Sequence, residues 1–166
     1  YLIVALSEEG SKFLALRFIP FRRKAFDDPF DGIVYAVMVG MGFATIENIF
    51  YVTEHGFATG ILRMFLSVPA HATFAVLMGY HLGLAKFDPA KRKRYMFLAV
   101  FWPVVFHGTF DFFLFVNNTW YHFAGAVISF IVAVRLSLKL IRRKQVLSRD
   151  HYDGIDTITG NNHDIF

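Results

Sequence analysis

Residues 33–52 read IVYAVMVGMGFATIENIFYV, twenty residues with a single charge. Wound as an α-helix at ~1.5 Å per residue, this run is about 30 Å long, the thickness of the hydrocarbon core of a bilayer. The pattern recurs along the chain. Apolar blocks of about 16 to 24 residues alternate with short charged stretches, which is how a membrane protein distributes its apolar residues. Five spans follow: A to about residue 16, B about 33–52, C about 62–85, D about 95–116 and E about 121–141. The expected fold is an all-α, polytopic transmembrane helical bundle occupying residues 1–147. Residues 148–166 are polar and aperiodic, and read as a flexible cytoplasmic tail.

Composition agrees. The 166 residues are 55% hydrophobic and include 21 phenylalanines. There is no cysteine, which excludes disulfides, thiolate metal sites and a cysteine nucleophile. The net charge of +4 does not point to nucleic acid, because the basic residues gather at the ends of apolar blocks. The sequence opens inside an apolar run that already carries Glu8, Glu9 and Lys12, so a cleaved signal peptide is not expected there and further spans upstream are.

Charge also orients the bundle. Loop A–B holds Arg17, Arg22, Arg23 and Lys24. Loop C–D holds Lys86, Lys91, Arg92, Lys93 and Arg94, and the end of E holds Lys139, Arg142, Arg143, Lys144 and Arg149. That places 14 of the 17 basic residues on one side, with Arg63 alone on the other and Lys12 and Arg135 inside spans. The positive-inside rule makes the crowded side, and the C-terminus, cytoplasmic. Pro69 and Pro103 fall within spans C and D, where each is expected to kink its helix.

Several residues do not belong in hydrocarbon. Span A holds Glu8, Glu9 and Lys12; B holds Glu47 and Asn48; C holds His71, with His81 nearer its inner end; D holds His107 and Asp111. A charged side chain at a helix centre costs roughly 2.5–3.5 kcal/mol on insertion scales, so five left unpaired would cost on the order of 15 kcal/mol. They must be neutralised, paired, metal-bound or in contact with water. Counting ~1.5 Å per residue puts Glu47, His71, His107 and Asp111 about 7–14 Å below the outer surface, with the glutamate pair near mid-membrane. His107 and Asp111 are i,i+4 neighbours, as are Glu8 and Lys12, while Glu8 and Glu9 point about 100° apart, so only one of them can aim straight into a shared cavity. Taken singly, each has a structural reading: an intrahelical ion pair, a His–Asp hydrogen bond, interhelical glue at Glu47–Asn48. His55, His81 and His122 lie in loops or near span ends and read as structural or solvated. Four spans carrying such groups at matching depth point instead to a functional site.

In order, EExxK (Glu8, Glu9, Lys12), FxxxEN (Phe43, Glu47, Asn48), His71 in HATFAVLMGYHLG and HxxxD (His107, Asp111) resemble the PrsW family of intramembrane proteases, which is related to type II CAAX prenyl proteases and to the scaffold subunit of γ-secretase. The resemblance covers roughly residues 5–115. It implies hydrolysis of a peptide bond of a single-pass transmembrane protein, of the anti-sigma-factor kind, in a bacterial or archaeal plasma membrane. It also implies a site made of Glu8, Glu9, Glu47, His71, His107 and Asp111, supported by Lys12 and Asn48. Two mechanisms fit. In one, Glu47, His71 and His107 bind Zn²⁺, Glu8 or Glu9 deprotonates a water, and Asp111 orients His107. In the other a glutamate is the base without a metal, while His107 and Asn48 stabilise the oxyanion. A non-catalytic membrane scaffold and a proton-coupled transporter are the alternative functions. The glutamate pair favours the enzyme over the scaffold, and the lack of paired Gly/Pro-broken spans in two repeated halves disfavours the transporter.

Overall fold

The computed structural model of the protein describes residues 1–116 and 120–159, the side chains of 147 and 149–159 excepted. The described residues form six α-helices: α1 (Leu2–Phe18), α2 (Asp31–His55), α3 (Phe57–Phe65), α4 (Ser67–Phe87), α5 (Arg92–Phe115) and α6 (Trp120–Thr159). There is no strand among the described residues, so the expected all-α polytopic bundle is the fold. Among the described residues four stretches are long and apolar enough to cross a bilayer: α2, α3 with α4, the segment 89–115 containing α5, and the first 27 residues of α6. With 17 residues, α1 is shorter.

The outside of the bundle is apolar. Ile3 on α1, Met38 and Phe50 on α2, Phe97 on α5 and Ile128 on α6 are all exposed, a surface suited to lipid rather than water. Association must then come from close packing and internal polar contacts, because lipid is as apolar as leucine. Small residues supply the first. On α2, Gly32, Ala36, Gly40 and Ala44 are buried at intervals of four and form a smooth stripe. Gly79 and Gly83 of α4 lie against its start: a Cβ on Gly79 would collide with the Gly32 carbonyl, and one on Gly83 would sit 2.6 Å from the Pro29 oxygen. The α2 and α4 backbones therefore touch. This crossing makes α4 the central helix, with every residue from Thr73 to Tyr80 buried. Ser137 of α6 donates a hydrogen bond to the Thr73 carbonyl at 3.0 Å, fastening α6 to α4.

The loop between α1 and α2 is folded rather than slack. Phe21 and Phe26 are buried edge-to-face, and Lys86 donates to the Phe21 carbonyl at 2.7 Å. At the start of α2, the Asp28 carboxylate accepts from the Phe30 amide at 2.6 Å, and Asp31 accepts from the Asp28 amide at 2.9 Å, satisfying donors that a helix start leaves free.

Span C is interrupted at Leu66, which divides α3 from α4, although Leu66 keeps helical dihedrals and its carbonyl still accepts from the Ala70 amide at 3.2 Å. Pro69 lies three residues on and lacks the amide that would bond the Phe65 carbonyl, as a proline inside a helical run does. The helical backbone of α6 runs on to Thr159, into the stretch read as a tail. Residues 160–166 of that tail lie outside the described residues.

Candidate active site and metal centre

The buried stripes of the helices carry the polar residues inward. On α1 the buried positions are Ala5, Glu9, Lys12 and Leu16, spaced 4-3-4 along one face. The small stripe of α2 leads from Ala44 to Glu47, and on α5 Ala99, Pro103 and His107 recur every four residues. His71 stands one turn inside the start of α4. Four helices thus deliver their odd residues to one place.

Contacts there form a chain. Lys12 donates to Glu9 Oε1 at 2.6 Å and to His71 Nδ1 at 2.9 Å, with its ammonium also 4.5 Å from the Phe43 ring centre. Lysine only donates, so His71 Nδ1 accepts and the ring proton sits on Nε2, which donates to Glu47 Oε2 at 2.8 Å. The other Glu47 oxygen accepts from Arg63 at 2.9 Å. His107 donates from Nδ1 to Glu9 Oε1 at 2.9 Å, which turns its Nε2 toward Asp111 at 3.3 Å and Glu8 at 3.8 Å. The His71 and His107 rings meet edge-to-face at 5.0 Å, and Phe74 stacks on His107 at 5.2 Å.

These groups border a cavity of about 400 Å³ whose wall includes Glu8, Glu47, Arg63, His71, His107 and Asp111. The two neighbouring glutamates divide as their 100° separation requires. Glu8 lines the cavity, whereas Glu9 is fully buried behind it and lines no part of the wall. Asn48, next to Glu47 but turned by the same angle, is not on the wall; its Nδ2 donates to the Gly60 carbonyl at 3.4 Å. Sequence reasoning passed over Arg63 as an isolated surface cation. Its spacing from Glu47 across a helix break carried no periodic signal, and only its solitary place on the sparsely charged side set it apart.

One ligand atom each from Glu8, His71 and His107 lies within 4.8 Å of the others, close enough to hold one cation. Glu8 Oε2 is buried with no hydrogen-bond partner, while both Glu47 oxygens are engaged. The charge balance admits a cation. With neutral imidazoles, the four carboxylates Glu8, Glu9, Glu47 and Asp111 face only two fixed cations, Lys12 and Arg63. With all four ionised the site would be two positive charges short, which one divalent ion, or protons on Glu8 and His107, would supply. The residues present fit a metal.

Residues 1–137 match the model of the PrsW family of intramembrane metalloproteases. The chain is similar to Protease PrsW of Geobacillus kaustophilus, 40% identical over 125 residues, covering 75% of this chain and 56% of that protein. It is likewise similar to Protease PrsW of Clostridioides difficile, 39% identical over 146 residues (84% and 59%), and of Bacillus subtilis, 38% identical over 117 residues (70% and 54%). The chain therefore spans little more than half the length of these relatives. No solved structure matches it significantly. With the family model covering most of its length, and Glu8, Glu47, His71 and His107 lining one cavity, the chain belongs to the PrsW family.

Proposed function

We propose that the chain is the catalytic core of an intramembrane endopeptidase that hydrolyses a peptide bond of a single-pass membrane protein, such as an anti-sigma factor. Its setting on this reading is a bacterial or archaeal plasma membrane with the end of α6 in the cytoplasm. The observation that carries the proposal is the cavity itself: a carboxylate with an oxygen free of hydrogen bonds, two imidazoles and two further carboxylates share one recess among apolar helices. Amide hydrolysis needs an activated water, a base for its proton and a positive group for the oxyanion.

Glu8, His71 and His107 would hold the metal, a Glu/His/His set of the kind that catalytic zinc uses, which supports Zn²⁺; both His71 nitrogens are hydrogen-bonded, to Lys12 and Glu47, so its Nε2 would exchange its proton and its contact with Glu47 for the ion. When bound, such an ion polarises a carbonyl and makes water acidic enough to ionise near neutral pH. The protein's own groups do the rest. Glu9 accepts the Nδ1 proton of His107 and so presents Nε2 to the cavity, the orienting role that the sequence suggested for Asp111. Lys12 neutralises Glu9 and holds the His71 ring. Once Nε2 of His107 is engaged, Asp111 Oδ2 would give up its 3.3 Å contact with that nitrogen and be free to accept a proton from water and return it to the departing amine.

The test is cleavage of a single-pass substrate by the full-length protein in proteoliposomes. Asp111→Asn is expected to keep its metal and lose roughly 10²–10⁴-fold in kcat, the usual contribution of a general base. Glu8→Gln is expected to lose both metal and activity. Wild-type rates in both variants would overturn the reading, and a wild-type protein that binds such substrates without cutting them would favour the scaffold.

A further inference from the structure

A peptide bond inside a transmembrane helix is closed to attack, because its carbonyl accepts from the amide four residues on. Cutting requires local unwinding, and each carbonyl freed from the helix then needs a donor from the protein or from the water that the cavity admits. Most of the cavity's charged wall cannot donate: Glu8, Glu47 and Asp111 accept, and the Nε2 proton of His71 is committed to Glu47. Arg63 is the one Lys or Arg on the wall among the described residues.

We propose that Arg63 is a substrate-binding residue whose guanidinium donates to a main-chain carbonyl of the unwound substrate beside the scissile bond; this rests on the peptidase reading above. Its Nε is buried without any partner, an unusual and costly state for a donor. One arm is fixed to Glu47 at 2.9 Å, and the guanidinium stacks 3.6 Å from the centre of the Tyr51 ring, so its position is set before substrate arrives. Because Glu47 already balances its charge, the complementary ligand is a neutral carbonyl and not an acidic side chain. The helix that carries it is suited to admitting a strand. Nine residues long, α3 is bounded by Gly56, at φ +88°, and by the break at Leu66. Its outer side, with Phe57, Leu62 and Phe65 exposed, packs on no other helix. A small outward swing of α3 would open Nε to a carbonyl passing between α3 and α4.

The probe is an apolar Leu/Ala peptide of ~20 residues, long enough to span, with a Gly-Gly pair one turn from its outer end and a fluorophore–quencher pair across it. Arg63→Lys retains a cation for Glu47 but loses Nε and the planar fork, whereas Arg63→Met loses everything. Both variants are expected to raise KM by ~10-fold, the loss of about one hydrogen bond to a charged donor, with metal content unchanged and kcat within a few-fold. If Arg63→Lys keeps the wild-type KM, the proposal is overturned, and a loss confined to Arg63→Met would leave Arg63 as the counter-ion of Glu47 alone. Binding of the intact peptide to the Glu8→Gln protein, with and without Arg63→Lys, separates this inference from the peptidase reading. A tenfold weaker complex supports Arg63 even where nothing is cut, and equal binding refutes it.

Discussion

Glu8 and Glu9 are chemically identical neighbours with different tasks, and the helix assigns them. One turns into the cavity with an unpartnered oxygen; the other turns into the protein, where Lys12 and His107 both donate to its Oε1. A residue that acts by orienting a ligand changes affinity before chemistry. Glu9→Gln should therefore weaken metal binding by about 10–100-fold, the range typical of outer partners of a ligating histidine, as read by competition with a graded chelator. An unchanged affinity would place the orienting role elsewhere. Most of this was legible in the sequence, since intramembrane charges at i,i+3 and i,i+4 spacing announce themselves. Which carboxylate faces Arg63 was not, because that depends on where α3 breaks from α4.

The elements stand where they do because α2 and α4 meet backbone to backbone. Gly79 and Gly83, four apart in GYHLG, carry that contact, and the same spacing in the sequence is a known mark of close helix approach. Their alignment with Gly32 could not be read, since it needs the partner helix's register. A methyl group at Gly79 would press on the Gly32 carbonyl, and two packed backbones cannot yield as a flexible side chain does. Gly79→Ala should lower stability by about 1–3 kcal/mol, as overpacked cores do, measured by unfolding in mixed detergent micelles. Displacing α4 would also move His71 from Glu47, so activity should fall with it. Gly10 is the contrast: although glycine is unexpected mid-helix, a Cβ there meets nothing. Gly10→Ala should leave stability equal or higher, by up to about 1 kcal/mol.

At the scale of the whole molecule, hydropathy made the bundle plain from the sequence: blocks A, B and D end within a few residues of the ends of α1, α2 and α5, whereas α6 runs well past block E. The short α3 escaped because its apolar residues run on into α4, leaving only the backbone turn at Leu66 to divide them. Convergence of four helices was inferred from depth alone, and depth fixes one coordinate but not rotation about each axis. Rotation gives Glu8, and not Glu47, a buried oxygen without a hydrogen bond in reach of both imidazoles. What most needs testing is thus the ligand set proposed for one divalent ion, Glu8, His71 and His107. The direct measurement is metal content per purified chain in the wild type and four variants. It should be close to one divalent ion in the wild type and in Glu47→Gln, and near zero in Glu8→Gln, His71→Ala and His107→Ala. A metal-free but fully active wild type, or an ion lost with Glu47 and retained without Glu8, would contradict it.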